Sequence, residues 1–415
     1  MPYRMPIKIG TDIIPAFLNF CRENDYHKLF VIADDNTYRV LGEQVVSAAC
    51  DAGLDVIQCV LNPQGLHAEG GSILRVLNAY DAQPRLFLAV GSGTITDITR
   101  FTSHRSQNKF VSFPTAASVD AYASKNAPVT VGNLKGSIYC HAPIAIFTDL
   151  QTIIESPEFL TASGFGDLVS KATASTDWKI TQLVWGAAFD QAIYENALHA
   201  GNSVIKVVDG IRNAEPEAMD VMMKGQFASG FCMADFDNSA PASGSEHHIS
   251  HIWEMIFQWE HKEGLYHGHA VGVAAIMSAA WYQKLKRLSR DEAAAILEKT
   301  NLPDRDTQIR ALQRALPQIA DALIASDPIY LQLADTEKWA RTRARMIENW
   351  DGILTAADHV PDPDDLRGWI RSLGGPVTPA ELGVTPEQVA LAKETGHYLR
   401  ERFSINIIRK LFGWQ

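Results

Sequence analysis

The sequence is poor in cysteine and in positive charge, and it contains no long apolar run. Its 415 residues include 5 cysteines, none of them in a CxxC pair, so we expect free thiols rather than a disulfide framework. Lys and Arg number 37 against 48 Asp and Glu, and the net charge of −11 argues against a nucleic-acid partner. No apolar stretch reaches membrane-spanning length, and the N-terminal segment lacks the pattern of a secretory signal. These absences predict a cytoplasmic globular protein.

Secondary-structure patterns divide the chain into two parts. In the first 150 or so residues, β-rich apolar runs alternate with helical patterns, and the expected strands are 29–33, 55–60, 85–90, 110–114 and 145–147. Strands separated by helices imply a parallel sheet with helices on both faces. Farther along the chain, Ala- and Leu-rich helical patterns take over. We therefore predict an α/β domain over residues 1–156 and an all-α domain over residues 157–415.

A glycine-rich turn follows the third expected strand, at residues 91–97 with the sequence GSGTITD. Its glycines allow a tight turn and the close approach of an anion, and the N–H groups of the following helix favour a phosphate. Because Thr96 replaces the third glycine of GxGxxG, a plain turn capped by Ser92 or Thr94 is an equal alternative. Asp34, at the end of an earlier strand, is either a ribose acceptor or a helix cap.

The run PTAASVD, residues 114–120, follows the fourth expected strand. It should therefore lie at the carboxyl edge of the sheet, where ligands of such folds gather. Ser118 and Asp120 form a candidate hydroxyl-binding pair, with an ordinary turn as the alternative.

Histidine is concentrated in one short stretch. Of the 13 histidines, six lie between His247 and His269, and neutral imidazole is the commonest nitrogen ligand of catalytic metals. On a helix, His247 and His251 share one face and can point into one cavity. The spacing leaves open which of His251, His267 and His269 joins His247.

The rest of the histidine stretch gives weaker signals. His248 points away from the His247 face of the helix, and we expect it and His261 to be surface residues. A third ligand can reach the helical pair only if the chain turns back near residues 263–264. Asp167, in the run GFGD, is the best candidate for a carboxylate ligand.

Five motifs in order, GSGTITD, PTAASVDAYAS, GFGDLVSK, SGSEHHISH and HGHAVGV, resemble the sn-glycerol-1-phosphate dehydrogenase family. The bacterial branch associated with arabinose operons is the most similar. The family belongs with the iron-containing alcohol dehydrogenases, glycerol dehydrogenases and dehydroquinate synthases. The resemblance covers residues 1–290. It implies a Rossmann-like N-terminal domain, an all-helical C-terminal domain and a homodimer.

The resemblance also implies roles for individual residues. One divalent metal, zinc with nickel or iron as alternatives, would be held by Asp167, His247 and His267. NAD or NADP would contact Asp34, Gly91, Ser92, Gly93, Thr94, Asp97, Thr115 and Ser118. The substrate would contact Asp120, Ser124, Lys171, His251 and His269. Of these, His251 and Asp120 are the candidates for moving the proton, and the carboxylate of Asp34 favours NAD.

The implied reaction is a metal-dependent, NAD(P)H-linked and reversible reduction of dihydroxyacetone phosphate to sn-glycerol 1-phosphate. One departure bears on the substrate, since this chain has HGHAVG where the family often has HGEQVG. The alternatives are a glycerol or sugar-alcohol dehydrogenase acting on an unphosphorylated polyol, and a dehydroquinate synthase-like lyase that uses NAD transiently.

Overall fold

The protein forms two compact units. The structure, a computed structural model, describes residues 5–415, so the first four residues of the N-terminal segment lie outside it. The first unit comprises the chain up to Leu168 together with Lys206–Asn238, and the second comprises Val169–Ile205 and Ser239–Gln415. The predicted boundary at residue 156 marks the end of the strand-bearing sequence, whereas the compact units divide the chain at these later points.

The strands and helices of residues 5–415 follow in chain order. The strands are β1 Ile7–Gly10, β2 Lys28–Asp34, β3 Asp55–Leu61, β4 Leu86–Gly91, β5 Phe110–Pro114, β6 Asn126–Val131, β7 Leu134–Tyr139 and β8 Ile146–Asp149. The helices of the first unit are α1 Ile13–Glu23, α2 Asp35–Thr37, α3 Glu43–Asp51, α4 Gly70–Ala79, α5 Gly93–Arg105, α6 Leu150–Ile154, α7 Glu158–Val169 (which ends at the unit boundary), α10 Val208–Arg212 and α11 Pro216–Asp235. Those of the second are α8 Lys171–Trp185, α9 Gln191–Ile205, α12 Ser245–Trp259, α13 His267–Lys286, α14 Arg290–Lys299, α15 Arg305–Ala315, α16 Ala320–Ala325, α17 Ile329–Gln332, α18 Thr336–Glu348, α19 Trp350–Ala357, α20 Pro363–Ser372, α21 Pro386–Thr395 and α22 Ile405–Leu411. One π-helical segment, Tyr38–Gly42, and two 3-10 segments, Pro379–Leu382 and Gly396–Tyr398, complete the described set.

A parallel sheet of six described strands, in the order β1-β8-β5-β4-β2-β3, organises the first unit. All five predicted strands are part of it, which confirms the α/β fold class. The chain runs from β2 outward to β3 and then returns to the other side of β2 with β4, so the strand order reverses between β2 and β4. Ligands of open parallel sheets bind outside the carboxyl ends of the strands at such a point. Asp34 ends β2 and Gly91 ends β4 there.

Both faces of the sheet are covered, as the nearly continuous apolar strand sequences require. In β2, Leu29, Val31 and Ala33 join the core formed with α1 and α3. Phe30 and Ile32 point to the opposite face and join the core formed with α4 and α5. The period of two along the strand thus fixes which helix covers which side chain.

Two features of the first unit were not predicted. The edge strand β1 was missed, and so was the antiparallel hairpin β6–β7. The hairpin turns at Gly132 and Asn133, where Gly132 has a φ of +62°, and a Gly-Asn pair between two strands is a recognised hairpin signal.

The second unit is helical, as predicted, and its core includes α13. Between Ala270 and Tyr282 nearly every side chain of α13 is buried. Among residues 5–415 no helix is both long enough and apolar enough to cross a membrane.

Candidate functional site

Three histidines converge inside the second unit. His247 and His251 lie one helical turn apart on α12, with ring centroids 5.9 Å apart. The chain reverses after Trp259, close to the predicted break, and α13 begins with His267. The His267 ring lies 5.3 Å from that of His247 and 5.5 Å from that of His251. The structure therefore brings together the predicted helical pair and His267.

Two of these rings are each held by a carboxylate. His247 Nδ1 lies 2.9 Å from Glu246 Oε1, and His267 Nδ1 lies 2.8 Å from Glu254 Oε1. A carboxylate accepts a hydrogen bond, so in each neutral ring the proton is on Nδ1 and the lone pair is on Nε2. Metal-binding histidines are oriented in this way, because the partner of one nitrogen fixes the tautomer and raises the basicity of the other.

Glu246 is fully buried and was not predicted to be functional. Besides His247, its carboxylate accepts the Gly244 N–H at 2.7 Å and the Thr173 hydroxyl at 2.8 Å. Burial raises the pKa of Glu246, but the hydrogen bond and charge of His247 and the Gly244 N–H outweigh burial, so the net pKa is lowered. Glu246 is therefore ionised at neutral pH and can orient the ring beside it.

A second buried acid, Asp177 on α8, holds the N-terminal end of α12 in place. Its carboxylate accepts the Ser245 N–H at 2.7 Å, the Tyr282 hydroxyl at 2.5 Å and the Ile405 N–H at 2.6 Å. Burial, and then the neighbouring Glu246, raise the pKa of Asp177 to about 7. The sequence offered one signal for the two glutamates: Glu246 stands next to His247, and Glu254 stands one helical turn after His251 on the same helix.

The remaining histidines of the stretch lie elsewhere. His261 is exposed, as predicted. The expectation for His248 was wrong: it is only 1% exposed, because α12 is covered on its His248 side by residues 396–398. His269 packs its ring against Tyr266 at 5.7 Å and lines a cavity of about 440 Å³ with Arg371.

The glycine turn of the first unit opens α5 directly after β4. A Cβ at Gly91 would lie 2.6 Å from Ile95 Cβ, and one at Gly93 would lie 2.9 Å from Val119 Cγ2. Both glycines therefore permit close packing within the protein itself. Thr115 follows β5 and donates its N–H to Gly91 O at 3.3 Å, so it lies beside the turn at the carboxyl edge of the sheet.

Two acids predicted to face the cofactor have partners within the first unit. Asp34 Oδ1 accepts the N–H groups of Asn36 and Thr37 at 2.9 and 3.0 Å, so the helix-cap alternative describes its contacts here. Asp97 pairs at 2.5 Å with Arg100, a fully buried guanidinium that also donates to the Ala121 carbonyl. Asp97 thus helps to anchor the loop after β5.

That loop carries the predicted substrate residues of the first unit. Asp120 is buried and accepts a 2.6 Å hydrogen bond from Ser229. Ser118 Oγ lies 3.3 Å from the Tyr122 hydroxyl. Ser124 is 1% exposed and bonds to the backbone of Asn126, an arrangement that fixes the local turn.

Asp167 lies on α7 of the same unit and is fully buried. It accepts the N–H of Asp120 at 3.0 Å, which joins α7 to the loop. Gly164, one turn earlier, packs directly on Ala117, since a Cβ there would overlap the Ala117 carbonyl oxygen. The run GFGD is therefore the part of α7 that packs closely against the loop after β5 and places one buried carboxylate, that of Asp167, beside it.

Lys171, a predicted substrate contact, is fully buried in the second unit. Its Nζ donates to Ala242 O at 3.0 Å and lies 3.4 Å from Ser170 Oγ. These contacts tie α8 to the segment before α12.

Comparison with known proteins shows which proteins share this sequence and this fold. The family model described as iron-containing alcohol dehydrogenase matches residues 8–157. Glycerol-1-phosphate dehydrogenase (NAD(P)+) of Halalkalibacterium halodurans is 28% identical over 402 residues, covering 96% of this chain and 90% of that protein. The protein of the same name from Pyrococcus abyssi is 31% identical over 281 residues, covering 67% and 79%. The crystal structure of glycerol dehydrogenase from Schizosaccharomyces pombe shares the fold, with a TM-score of 0.63 and 15% identity over 99% of this chain and 88% of that one.

The chain belongs to the glycerol-1-phosphate dehydrogenase family. This membership confirms the predicted resemblance and extends it, because the alignment with the Halalkalibacterium protein continues well past residue 290. The member described here is therefore an enzyme of the alcohol dehydrogenase type.

Proposed function

We propose that this protein catalyses the reversible, NAD(P)H-linked reduction of dihydroxyacetone phosphate to sn-glycerol 1-phosphate. The observation that carries the proposal is the cluster of His247, His251 and His267, with a carboxylate on Nδ1 of two of them. Relatives that share 27–31% identity with this chain are glycerol-1-phosphate dehydrogenases (NAD(P)+), and they supply the reaction and the cofactor class of the proposal.

The donor set fits a divalent metal. Nε2 lone pairs of His247 and His267, each ring fixed by an acid, provide two nitrogen ligands, and Asp167 is proposed as the carboxylate ligand. Such a mixed N/O set is compatible with zinc, nickel or iron. Glu254 is better suited to orienting His267 than to ligation, because it already bonds to Nδ1 of that ring.

The metal would act as a Lewis acid on the substrate oxygen, and the nicotinamide would supply or accept the hydride. Within this chemistry the protein holds and moves the proton. His251 faces His247 and His267 and is the proposed proton donor to the substrate oxygen. Asp120, kept in place by Ser229, is the proposed acceptor for a substrate hydroxyl.

The proposed cofactor site is the carboxyl edge of the sheet at β2, β4 and β5. Gly91 to Thr94 would bind the pyrophosphate at the N-terminus of α5, where backbone N–H groups and the helix dipole favour an anion. Thr115 and Ser118 would lie on the nicotinamide side. Asp34 would accept a ribose hydroxyl and disfavour a 2′-phosphate, so NAD is the proposed cofactor.

The test combines metal analysis with NADH oxidation. We expect one divalent ion per chain, steady NADH oxidation with dihydroxyacetone phosphate, and loss of both ion and turnover in His247→Ala, His267→Ala and Asp167→Asn. His251→Ala should keep the ion and lose turnover. Equal kcat/KM for dihydroxyacetone and its phosphate would instead indicate a polyol dehydrogenase. An absence of steady NADH turnover, with NAD retained, would indicate a lyase.

A further inference from the structure

The guanidinium group of Arg100, on α5 of the first unit, is fully buried and makes four hydrogen bonds. One goes to the carboxylate of Asp97 at 2.5 Å, one turn earlier on the same helix. The other three go to backbone carbonyls after β5, namely Ala121 O at 2.7 Å, Tyr122 O at 3.1 Å and Asn126 O at 3.0 Å. One side chain therefore ties α5 to the loop between β5 and β6.

The first half of this loop, which ends at Val119, packs on the proposed cofactor turn. Thr115 donates its N–H to Gly91 O at 3.3 Å. The side chain of Val119 lies against Gly93, since a Cβ on Gly93 would be 2.9 Å from Val119 Cγ2. The helix that begins in this turn is the same α5 that carries Arg100. Both halves of the loop are therefore held by one helix.

The second half of the loop begins at Asp120, the proposed acceptor for a substrate hydroxyl. Helix α11 covers this half, because Ser229 donates to the Asp120 carboxylate at 2.6 Å and a Cβ on Gly230 would lie 3.1 Å from Asp120 O. The carbonyls of the next two residues are among those that Arg100 binds. Asp120 is thus held by α11 through its side chain and by Arg100 through the backbone that follows it.

Only a guanidinium group can make the contacts of Arg100 together. It carries five N–H donors in a rigid plane, so it can bind one carboxylate and three carbonyls at once, whereas lysine has its three donors on a single atom. Without these donors, carbonyl groups that are at least partly buried would lose their partners, which is costly. The loop would therefore shift until the carbonyls met water or another donor.

We infer that Arg100 is a positioning residue of the proposed reaction, which fixes Asp120 relative to the cofactor turn. Because Arg100 is 0% exposed, it acts through the loop and not by contact with a ligand. Hydride transfer depends on alignment, and a displacement of about 1 Å caused far from the chemistry can lower the rate about 100-fold. The inference rests on the proposed function, in which Asp120 accepts a substrate hydroxyl.

The experiment compares Arg100→Lys with the wild type by kinetics with dihydroxyacetone phosphate, by NADH titration and by amide hydrogen exchange. We expect kcat/KM to fall by about 10- to 100-fold, because a displaced Asp120 misaligns the substrate. The dissociation constant of NADH should stay unchanged, because the contacts of Thr115 and Val119 with the turn do not involve Arg100. Amides of residues 120–126 should exchange faster.

Asp97→Asn is a milder change, which keeps Arg100 and weakens its ion pair. It should lower kcat/KM in the same direction by a smaller factor, and it decides the question if Arg100→Lys does not fold.

Arg85→Lys is the matched control for a purely structural effect. Arg85 is also a buried arginine of the first unit, and it pairs with Asp81 and donates to the carbonyls of Leu29 and Asp55. These contacts lie at the amino ends of β2, β3 and β4, opposite to the proposed cofactor edge. Arg85→Lys should therefore lower the melting temperature and leave kcat/KM unchanged.

Two results would overturn the inference. Unchanged kcat/KM in folded Arg100→Lys, with faster exchange in the loop, would show that the reaction does not depend on where Arg100 holds the loop. Equal losses of kcat/KM in Arg100→Lys and Arg85→Lys would show a purely structural role. If the wild type reduces dihydroxyacetone as well as its phosphate, the proposed function fails instead. The same variants assayed with dihydroxyacetone then decide the role of Arg100, because Asp120 would accept a hydroxyl of either ketone.

Discussion

At the scale of single residues, the site depends on acids that hold imidazole rings rather than on the rings alone. Glu246 and Glu254 each meet Nδ1 of a histidine, so each selects the tautomer with its lone pair on Nε2. The motif SEHHISH contains the first acid, but only the fold shows what it does, because its other partner, Thr173, lies 73 residues away.

Removing the acid that holds His267, one of the proposed metal ligands, should therefore weaken metal binding while leaving all the proposed ligands in place. We expect Glu254→Ala to lower the metal affinity by about 10- to 100-fold, because the His267 ring loses its orientation and part of its basicity. Competition with a chromophoric chelator measures this directly. Glu298→Gln, which changes an exposed glutamate on α14, is the control. Unchanged affinity in Glu254→Ala would show that Glu254 does not support the site.

At the scale of elements, the contact between α7 and the loop after β5 positions two predicted functional residues. Gly164 allows α7 to touch Ala117, and Asp167 then accepts the Asp120 N–H one turn later. A methyl group at Gly164 would overlap a backbone carbonyl, which cannot rotate away as a side chain would.

We therefore expect Gly164→Ala to destabilise the protein by about 1–3 kcal/mol, the usual cost of overpacking, and to weaken cofactor binding as the loop moves. The matched control is Gly368→Ala on α20, where a Cβ would meet nothing within 4 Å. That change should be neutral or stabilise by up to about 1 kcal/mol, since alanine favours a helix over glycine. Thermal unfolding and NADH titration of both variants make the comparison. Equal melting temperatures would show that the helix can shift at little cost.

The elements also show how far sequence alone could go. The five predicted strands were found because each is a short, largely apolar run rich in strand-favouring residues, and His247 and His251 were paired because helical spacing is local. The hairpin was missed because its strands are only partly buried, despite the signal of Gly132 and Asn133. The position of the segment before α22 carried no local signal, since Phe403 and Ile405 bond to Thr181 and Asp177, more than 200 residues earlier in the chain.

At the scale of the whole molecule, neutral histidines buried in both units link stability to pH. Burial lowers the pKa of His141 to about 4, and it lowers those of His248 and His397 well below their usual value. Each therefore contributes stability that is complete above the pKa of a histidine in the unfolded chain, near 6.5. This stability is lost as pH falls toward the lower pKa of the same histidine in the folded protein. Asp177 acts in the opposite direction, because its raised pKa stabilises the folded state below pH 4 and loses that effect as pH rises through 7.

The histidines outnumber Asp177, so the folded protein should lose stability as pH falls from 6.5 to 5, with a net uptake of roughly two protons on unfolding. Melting temperatures across this range measure the slope. His141→Gln should make it shallower, because glutamine cannot take up a proton when the chain unfolds, while its amide can still meet Ser103, which His141 contacts at 2.9 Å. His199→Gln, at an exposed histidine on α9, should leave the slope unchanged. If His141→Gln and His199→Gln give the same slope as the wild type, the acid sensitivity comes from other groups, and burial of His141 contributes nothing to it.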